Sequence, residues 1–459
     1  MANQSPGHPL PKAPAYEELP TAKPRAVRSG PELREVRVRL EVVTPILGGS
    51  HQVRAIDDVD VIRAPSVRGH LRFWWRALYA AQCASADDLY RRESALWGRA
   101  ATDDGGRSAV QIHANVERVG WTDSSEMRLY PSQGQQATPG AYALWPARAE
   151  TRTNTPTAPR RQPGTQFQLT LKIAATADAE VKNALRAWIL FGGYGGRTRR
   201  GLGSLKVLDD ASAWLPSNGT RAALTSLFGI DIFAVPAKAP GDVPWFAGAA
   251  IHVGRSDRNA QTAWTTALDW LKEFRQGTSG QQGARAREPG TGKSQPQRPS
   301  ISNWPEADKV RRLKNKTSAH PPRHNAISAW PRAGFGLPII GQFQKTDRSN
   351  NRNAYDEPGP FELRWRAGNE HDRLASPLIV KALPLADGSF APCALWLNRA
   401  HPANGEVILR SANNSQAPFD RLVANGDTAR FSALADKTSL REAFLDWLHA
   451  KYQTTVVAP

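Results

Sequence analysis

Three arginines fall within four residues of the segment FGGYGGRTRRGLGS (191–204): Arg197, Arg199 and Arg200. Two Gly-x-Gly pairs, Gly193/Gly195 and Gly201/Gly203, bracket them. Glycine accepts positive φ and lets a backbone come close to a ligand. The guanidinium group is a planar, permanently charged donor fork that matches phosphate oxygens. The chemistry this spacing suggests is phosphate binding, with a mobile solvated loop as the plainer alternative. The loop is not a dinucleotide fingerprint, because it follows a helical pattern and precedes a strand, the reverse of a Rossmann turn. Further on, GTGKS (290–294) imitates the end of a phosphate-binding P-loop, but Arg287 stands where its first glycine must be.

A second basic group lies in RAPSVRGHLRFWWRAL (63–78). On a helix, Arg68, Arg72 and Arg76 sit at i, i+4 and i+8 and form one stripe. A helix entry at Ser66 presents free N–H groups to an anion, with Arg63 and Arg68 beside it. Trp74 and Trp75 fall on the apolar face and read as core rather than as base-stacking platforms. Gly48, Gly49 and His51 lie in the loop after the first strand, and His70 adjoins the stripe. A lone histidine can act as general base in metal-free RNA cleavage, though a structural or binding role is the commoner one. Asp57, Asp58 and Asp60 form a local acidic group that could hold Mg²⁺ or, more simply, pair with arginines. There is no HExxH and no Cys/His zinc spacing.

The elements that must carry these residues follow from periodicity. Val36, Val38, Leu40 and Val42 alternate with charged residues and predict a half-buried strand. A helix follows with Val67, Leu71, Trp74, Trp75 and Leu78 on one face. Strands are predicted at 110–116, 167–173 and 204–208, and a second helix carries Val181, Leu185, Trp188 and Ile189. The order is β-α-β-β-α-β with an insertion at roughly 117–165, the ferredoxin-like arrangement of many RNA-binding modules. Beyond residue 235 a helix (264–274), strand-like runs at 335–340, 361–366, 377–383, 393–398 and 406–410, and a terminal helix opened by the capping box Ser439/Glu442 suggest a second α+β unit. The expected organisation is a Pro-rich tail (1–31), an N-terminal domain (32–235) and a C-terminal domain (236–459) with a flexible basic insertion at 277–299.

The chain has 459 residues, 40% hydrophobic, which excludes global disorder and suggests two large domains. Its net charge of +18 asks for a polyanionic partner, nucleic acid first. No apolar run approaches the ~18–20 residues of a membrane span, and the N-terminus lacks the apolar core of a secretory signal. Two cysteines, Cys83 and Cys393, are too few for a disulfide framework and fit a reducing cytosol.

The loop Gly193-x-Gly195…Gly201-x-Gly203 after a second helix resembles the signature loop of the RAMP superfamily of CRISPR RNA-binding proteins. Within it, six segments resemble the family of first-numbered Cmr subunits of type III-B CRISPR effector complexes: TPILGG (44–49), IRAPSVRGHLRFWWRA (62–77), LWG (96–98), SNWPEADKVRRL (302–313), GFGLPI (334–339) and DRLASPLIV (372–380). The resemblance implies tandem ferredoxin-like (RRM-like) folds, no cofactor, and a non-catalytic place in a cytoplasmic ribonucleoprotein. The implied partners are a guide RNA, near its 3′ region, a target RNA, and other Cmr RAMP subunits. Residue by residue, Gly48, Gly49, Arg63, Arg68 and Arg72 match the first motif region, and Gly193, Gly195, Gly201 and Gly203 match the loop. His51, Arg76, Arg197, Arg199 and Arg200 are added on charge and position. Guide-processing RAMP endonucleases, metal-independent and built on one such fold, are the alternative class, with His70 or His51 as base.

Overall fold

Alternation in the first strand decides its faces. In β1 (Leu33–Val42), Val36, Val38, Leu40 and Val42 are buried, while the charged residues between them stay at least partly accessible. The computed structural model describes residues 33–276 except 101–105, 107, 130–134 and 151–152. Beyond these it describes 304, 306–316, 330–343, 346–347, 352–353, 357–371, 373–400, 405–410, 432–434 and 436–459. The expected Pro-rich tail at 1–31 and the basic insertion at 277–299 lie outside the described residues.

Helix α1 (Ala64–Tyr79) begins earlier than the sequence predicts. Arg63 is its N-cap and Pro65 sits in the first turn, so Ser66 is already helical and caps nothing. Proline's fixed φ and missing N–H suit a first turn, which favours this earlier start. Helix α2 (Ala86–Trp97), capped by the Ser85 side chain, was not foreseen. Then come β2 (Val110–Arg118), β3 (Gln166–Ala174), α3 (Asp178–Phe191) and β4 (Leu205–Val207). The sheet order is β2-β3-β1-β4, every pair antiparallel. Between β2 and β3, the insertion adds short strands Thr122–Asp123 and Arg160–Arg161, which pair with each other and with Ile46–Leu47.

The second half repeats this order. It contains β5 (Trp245–Val253), α4 (Ala260–Gln276), β6 (Leu378–Pro384), β7 (Phe390–Asn398), α5 (Leu440–Tyr452) and β8 (Thr455–Ala458). Its sheet runs β6-β7-β5-β8, again antiparallel throughout. Strand β5 was missed from sequence, its alternation blurred because nearly every residue is buried. The strand predicted at 335–340 is instead a 3₁₀ turn, Pro331–Phe335, followed by a short strand at Ile339–Gly341. Pro338 between them has no N–H to give a ladder. The capping box is formed: the Ser439 hydroxyl accepts from the Glu442 N–H at 3.1 Å.

The two halves share a core. Helices α1 and α3 pack on the first sheet and also reach the second, with Trp74 stacked 5.6 Å from Phe246 of β5. Helices α4 and α5 cover the opposite face of the second sheet. Strand β6 shows the consequence: Ile379 and Leu383 join the first cluster while Leu378, Val380 and Ala382 join the second. A strand buried on both faces reads as an unbroken apolar run. Its one charged residue, Lys381, is fully buried and donates to the Gly192 carbonyl at the end of α3, at 2.7 Å. Burial pushes its ammonium pKa down to about 7. A third cluster, around Trp330, Leu363, Trp365 and Val407, belongs to a smaller sheet of Phe361–Ala367, Glu406–Leu409, Asn369–His371 and Ile339–Gly341. Among the described residues no helix is long and apolar enough to cross a membrane.

Candidate nucleic-acid interface

The glycine loop leaves α3 and folds back on itself. The Tyr194 N–H donates to the Gly203 carbonyl, and the Gly203 N–H to that of Pro45, both at 2.9 Å. At Gly203 (φ +65°) a Cβ would lie 1.8 Å from the Tyr194 carbonyl oxygen, and at Gly201 (φ +76°) 2.4 Å from the Trp264 ring. These two positions are therefore glycine because the protein's own backbone and an indole press on them. Gly193 and Gly195 are likewise packed against Gly203 and Ile46 rather than open to a ligand. Gly48 and Gly49, by contrast, border open space.

The arginines have separate fates. Arg200 reaches across to the second half, its Nη1 donating to the Leu378 carbonyl at 3.1 Å. Its own carbonyl accepts from Trp264 Nε1 at 2.7 Å. Arg197 is exposed in a left-handed conformation (φ +58°), and Arg199 lies with its guanidinium carbon 5.6 Å from the Phe73 ring centre. No acidic side chain is paired with any of the three among the described residues. Desolvation of its guanidinium by the surrounding protein, then Arg275 and Arg373, lower the pKa of Arg197, although the residue as a whole is exposed; burial, then Arg399, lower that of Arg199. Arg200 is pushed down to about 9 by burial first and then by Arg275, with smaller contributions from Arg197 and Arg199. An arginine does not release its proton under ordinary conditions. The shifts express burial first and the neighbouring positive charges second, both of which a bound anion would offset. Arg275 closes α4, Arg399 follows β7, and Arg373 precedes β6, so three of the six cations come from the second half. Of these, only Arg373 lies in one of the Cmr-like segments, DRLASPLIV (372–380).

The helical stripe is engaged differently. Arg72 Nε and Arg76 Nη1 both donate to Glu93 Oε1 at 2.7 Å, and that carboxylate is buried. Arg68 donates to the Val110 carbonyl at 3.3 Å. Two members of the stripe thus share one carboxylate, which α2 supplies and the spacing of the stripe does not reveal. Arg63 spans the loop, donating from its backbone to the Tyr194 hydroxyl at 2.9 Å and from its side chain to the Gly49 carbonyl. It brings the first loop and the glycine loop together.

His51 is exposed, whereas His70 is tucked against aromatic rings, stacked 5.9 Å from Trp188 and edge-on to Tyr194. Burial lowers its pKa. The acidic group resolves into a turn and an ion pair. Asp57 Oδ1 accepts from the Val59 and Asp60 N–H groups, and Asp58 pairs with Arg161 at 2.7 Å. Among the described residues no three His, Cys, Asp or Glu side chains converge as metal ligands would.

The chain is thus an α+β protein of two similarly ordered antiparallel units meeting at a glycine loop whose three arginines pair with no acid among the described residues. Residues 39–206, the unit holding that loop, match the family model of the RAMP superfamily. No curated protein matches the chain in sequence. Among solved structures it is similar to apo Cmr1 from Pyrococcus furiosus, at 15% identity over 92% of this chain and 98% of that one, with a TM-score of 0.44. A chain of the type III-B Cmr-beta complex bound to cognate target RNA is similar at 12% identity, covering 80% of this chain and 94% of that one, with a TM-score of 0.41.

Proposed function

We propose that this chain is a non-catalytic RNA-binding subunit of a type III-B CRISPR (Cmr) ribonucleoprotein. In this reading it is a tandem ferredoxin-like protein divided near residues 235/236. It holds the 3′ region of the guide RNA, helps capture target RNA, and works beside other Cmr RAMP subunits in the cytoplasm without a cofactor. The observation that carries the reading is the cluster of arginines around the glycine loop: among the described residues Arg197, Arg199 and Arg200 pair with no acidic side chain, and Arg399 feels Asp242. Single-stranded RNA brings closely spaced phosphates and needs no metal to bind such a surface. The RAMP pattern over residues 39–206 and the Cmr-like segments in both halves support the class. Arg197 and Arg199 are the phosphate contacts, with Arg275, Arg373 and Arg399 completing the basic crevice. The packing of His70 between Trp188 and Tyr194 favours a structural role over that of a general base.

The test is purification of the tagged full chain from its host under native conditions, followed by sequencing of bound RNA. Guide RNA recovered together with several RAMP proteins is the expected result. Recovery of the chain without RNA or RAMP partners would refute the proposal. Incubating the purified protein with repeat RNA in EDTA separates the enzymatic alternative: intact RNA is expected, and cleavage lost in His70→Ala would overturn the non-catalytic assignment.

A further inference from the structure

The insertion between β2 and β3 carries a short helix, Ala141–Leu144, that runs on into a 3₁₀ turn, Trp145–Ala147. Its start lies beside the glycine loop. A Cβ at Gly140 would lie 1.9 Å from the Trp264 ring, and one at Gly201 2.4 Å from the same ring, so both segments press on one indole. Tyr142 bears electrostatically on Arg197 and Arg200. Trp145 follows three residues later, the neighbouring position on the same helical face. A face that begins against the arginine crevice therefore ends in an indole.

That indole is 43% exposed. A single exposed tryptophan is ordinary on a protein surface, but this one is held in place and flanked by cations. The Arg148 guanidinium lies over its ring, 4.2 Å from the ring centre. Arg148 Nη1 also donates to the Trp145 carbonyl at 3.1 Å, which fixes the guanidinium on its own turn. Arg54 clamps that turn from the loop that opens with Gly48 and Gly49. Its Nη1 donates to the Pro146 carbonyl at 2.6 Å, and its Nη2 to those of Pro156 at 2.7 Å and Arg148 at 2.9 Å. Arg54 adopts a left-handed φ of +63°, which a non-glycine residue keeps only where its surroundings over-determine it. Neither Arg54 nor Arg148 pairs with an acidic side chain among the described residues. No second aromatic ring packs on Trp145 there either. A rigid indole with a guanidinium on one face is a plate for another π system. The unpaired cations around it favour a nucleic-acid strand over an apolar protein surface, and every nucleobase brings a π face.

We propose that Trp145, backed by Arg148, is a stacking platform for one nucleobase of the strand whose phosphates lie on Arg197 and Arg199. The proposal rests on the RNA-binding reading above and adds a base contact to a surface that otherwise meets phosphates. A stack of this kind reads no base edge, so it holds the strand without selecting its sequence.

The test compares two labelled strands of equal length on the full chain: a twelve-nucleotide oligouridylate, and a twelve-unit abasic strand that keeps the phosphates and carries no bases. Affinities are read by anisotropy for the wild type, Trp145→Ala, Trp145→Leu and Trp145→Phe, and thermal melting checks that each variant is folded. Trp145→Ala should weaken oligouridylate binding about tenfold, the loss of one base stack. Its salt slope should stay that of the wild type, because no phosphate contact is removed. The abasic strand should bind Trp145→Ala and wild type equally. Trp145→Leu, apolar but without a π face, should behave as Trp145→Ala, whereas Trp145→Phe should keep most of the affinity; this pair decides the matter if the alanine variant does not fold. Equal oligouridylate affinity of Trp145→Ala and wild type would overturn the platform while leaving the RNA-binding surface standing. An equal loss for both strands would also overturn it, since the ring would then support the crevice rather than a base. So would a loss of co-purifying RAMP proteins from Trp145→Ala with oligouridylate affinity unchanged, which would make the ring a protein contact. Absence of wild-type binding to either strand would overturn both readings together.

Discussion

The paired change Arg197→Gln/Arg199→Gln separates a phosphate-binding loop from a merely solvated one. Gln keeps much of each side chain's length and removes its charge. Neither guanidinium donates a hydrogen bond within the described residues, unlike Arg200, which ties the loop to β6. The fold should therefore survive, at the cost of one weak arginine–aromatic contact over Phe73, worth about 0.5–1 kcal/mol. On single-stranded RNA each phosphate contact contributes roughly 0.7 to the slope of log K against log salt, so losing two should flatten it by about 1.4. Between 50 and 200 mM salt the wild type should then lose about sevenfold more affinity than the variant. At ~1 kcal/mol per contact, affinity at moderate salt should fall by about 30-fold. Anisotropy titrations of a labelled oligonucleotide at several salt concentrations measure both quantities. Arg37→Gln, on the outer face of β1 beside Glu35, serves as the control and should change neither. A folded double variant with wild-type slope and affinity would refute the assignment of these arginines to RNA.

Gly201→Ala should lower stability by about 2–4 kcal/mol in a thermal melt, because it adds left-handed strain and drives a Cβ into the Trp264 ring. Glu93→Gln removes the buried charge shared by Arg72 and Arg76 and should destabilise by about 2–4 kcal/mol. Arg72→Ala should likewise lower the melting temperature yet leave the salt slope of RNA binding intact; a flattened slope would return the stripe to the RNA surface. Lys381 has a folded pKa depressed to about 7, so above that pH the unfolded chain binds the extra proton. Stability should accordingly rise with pH from about 7 until the unfolded lysine itself titrates. In Lys381→Met that component should disappear, as chemical denaturation across the range would reveal.

Much of the first unit was legible because its strands expose one face. The alternations at 36–42 and 167–173 and the helical stripe at 181–189 match β1, β3 and α3. The second sheet was harder to read, since α1 and α3 cover one of its faces and α4 and α5 the other. Burial on both sides erases the alternation, so β6 and β7 showed only as apolar runs and β5 not at all. For the stripe Arg68/Arg72/Arg76, spacing correctly placed the cations together but could not reveal Glu93, seventeen residues beyond Arg76 on α2.

The sequence by itself determined which residues could bind a polyanion and the β-α-β-β-α-β order of the first unit. These are local matters, set by side-chain type, backbone freedom and period. Tertiary structure decided which arginines were left with unspent charge. Arg72 and Arg76 share the one negative charge of Glu93, and Arg200 became a joint between the halves. Arg197 and Arg199 pair with no acid among the described residues, and Arg275, Arg373 and Arg399 gather around them. Charge is a property of a residue, but its neutralisation depends on neighbours brought together only when the two halves pack.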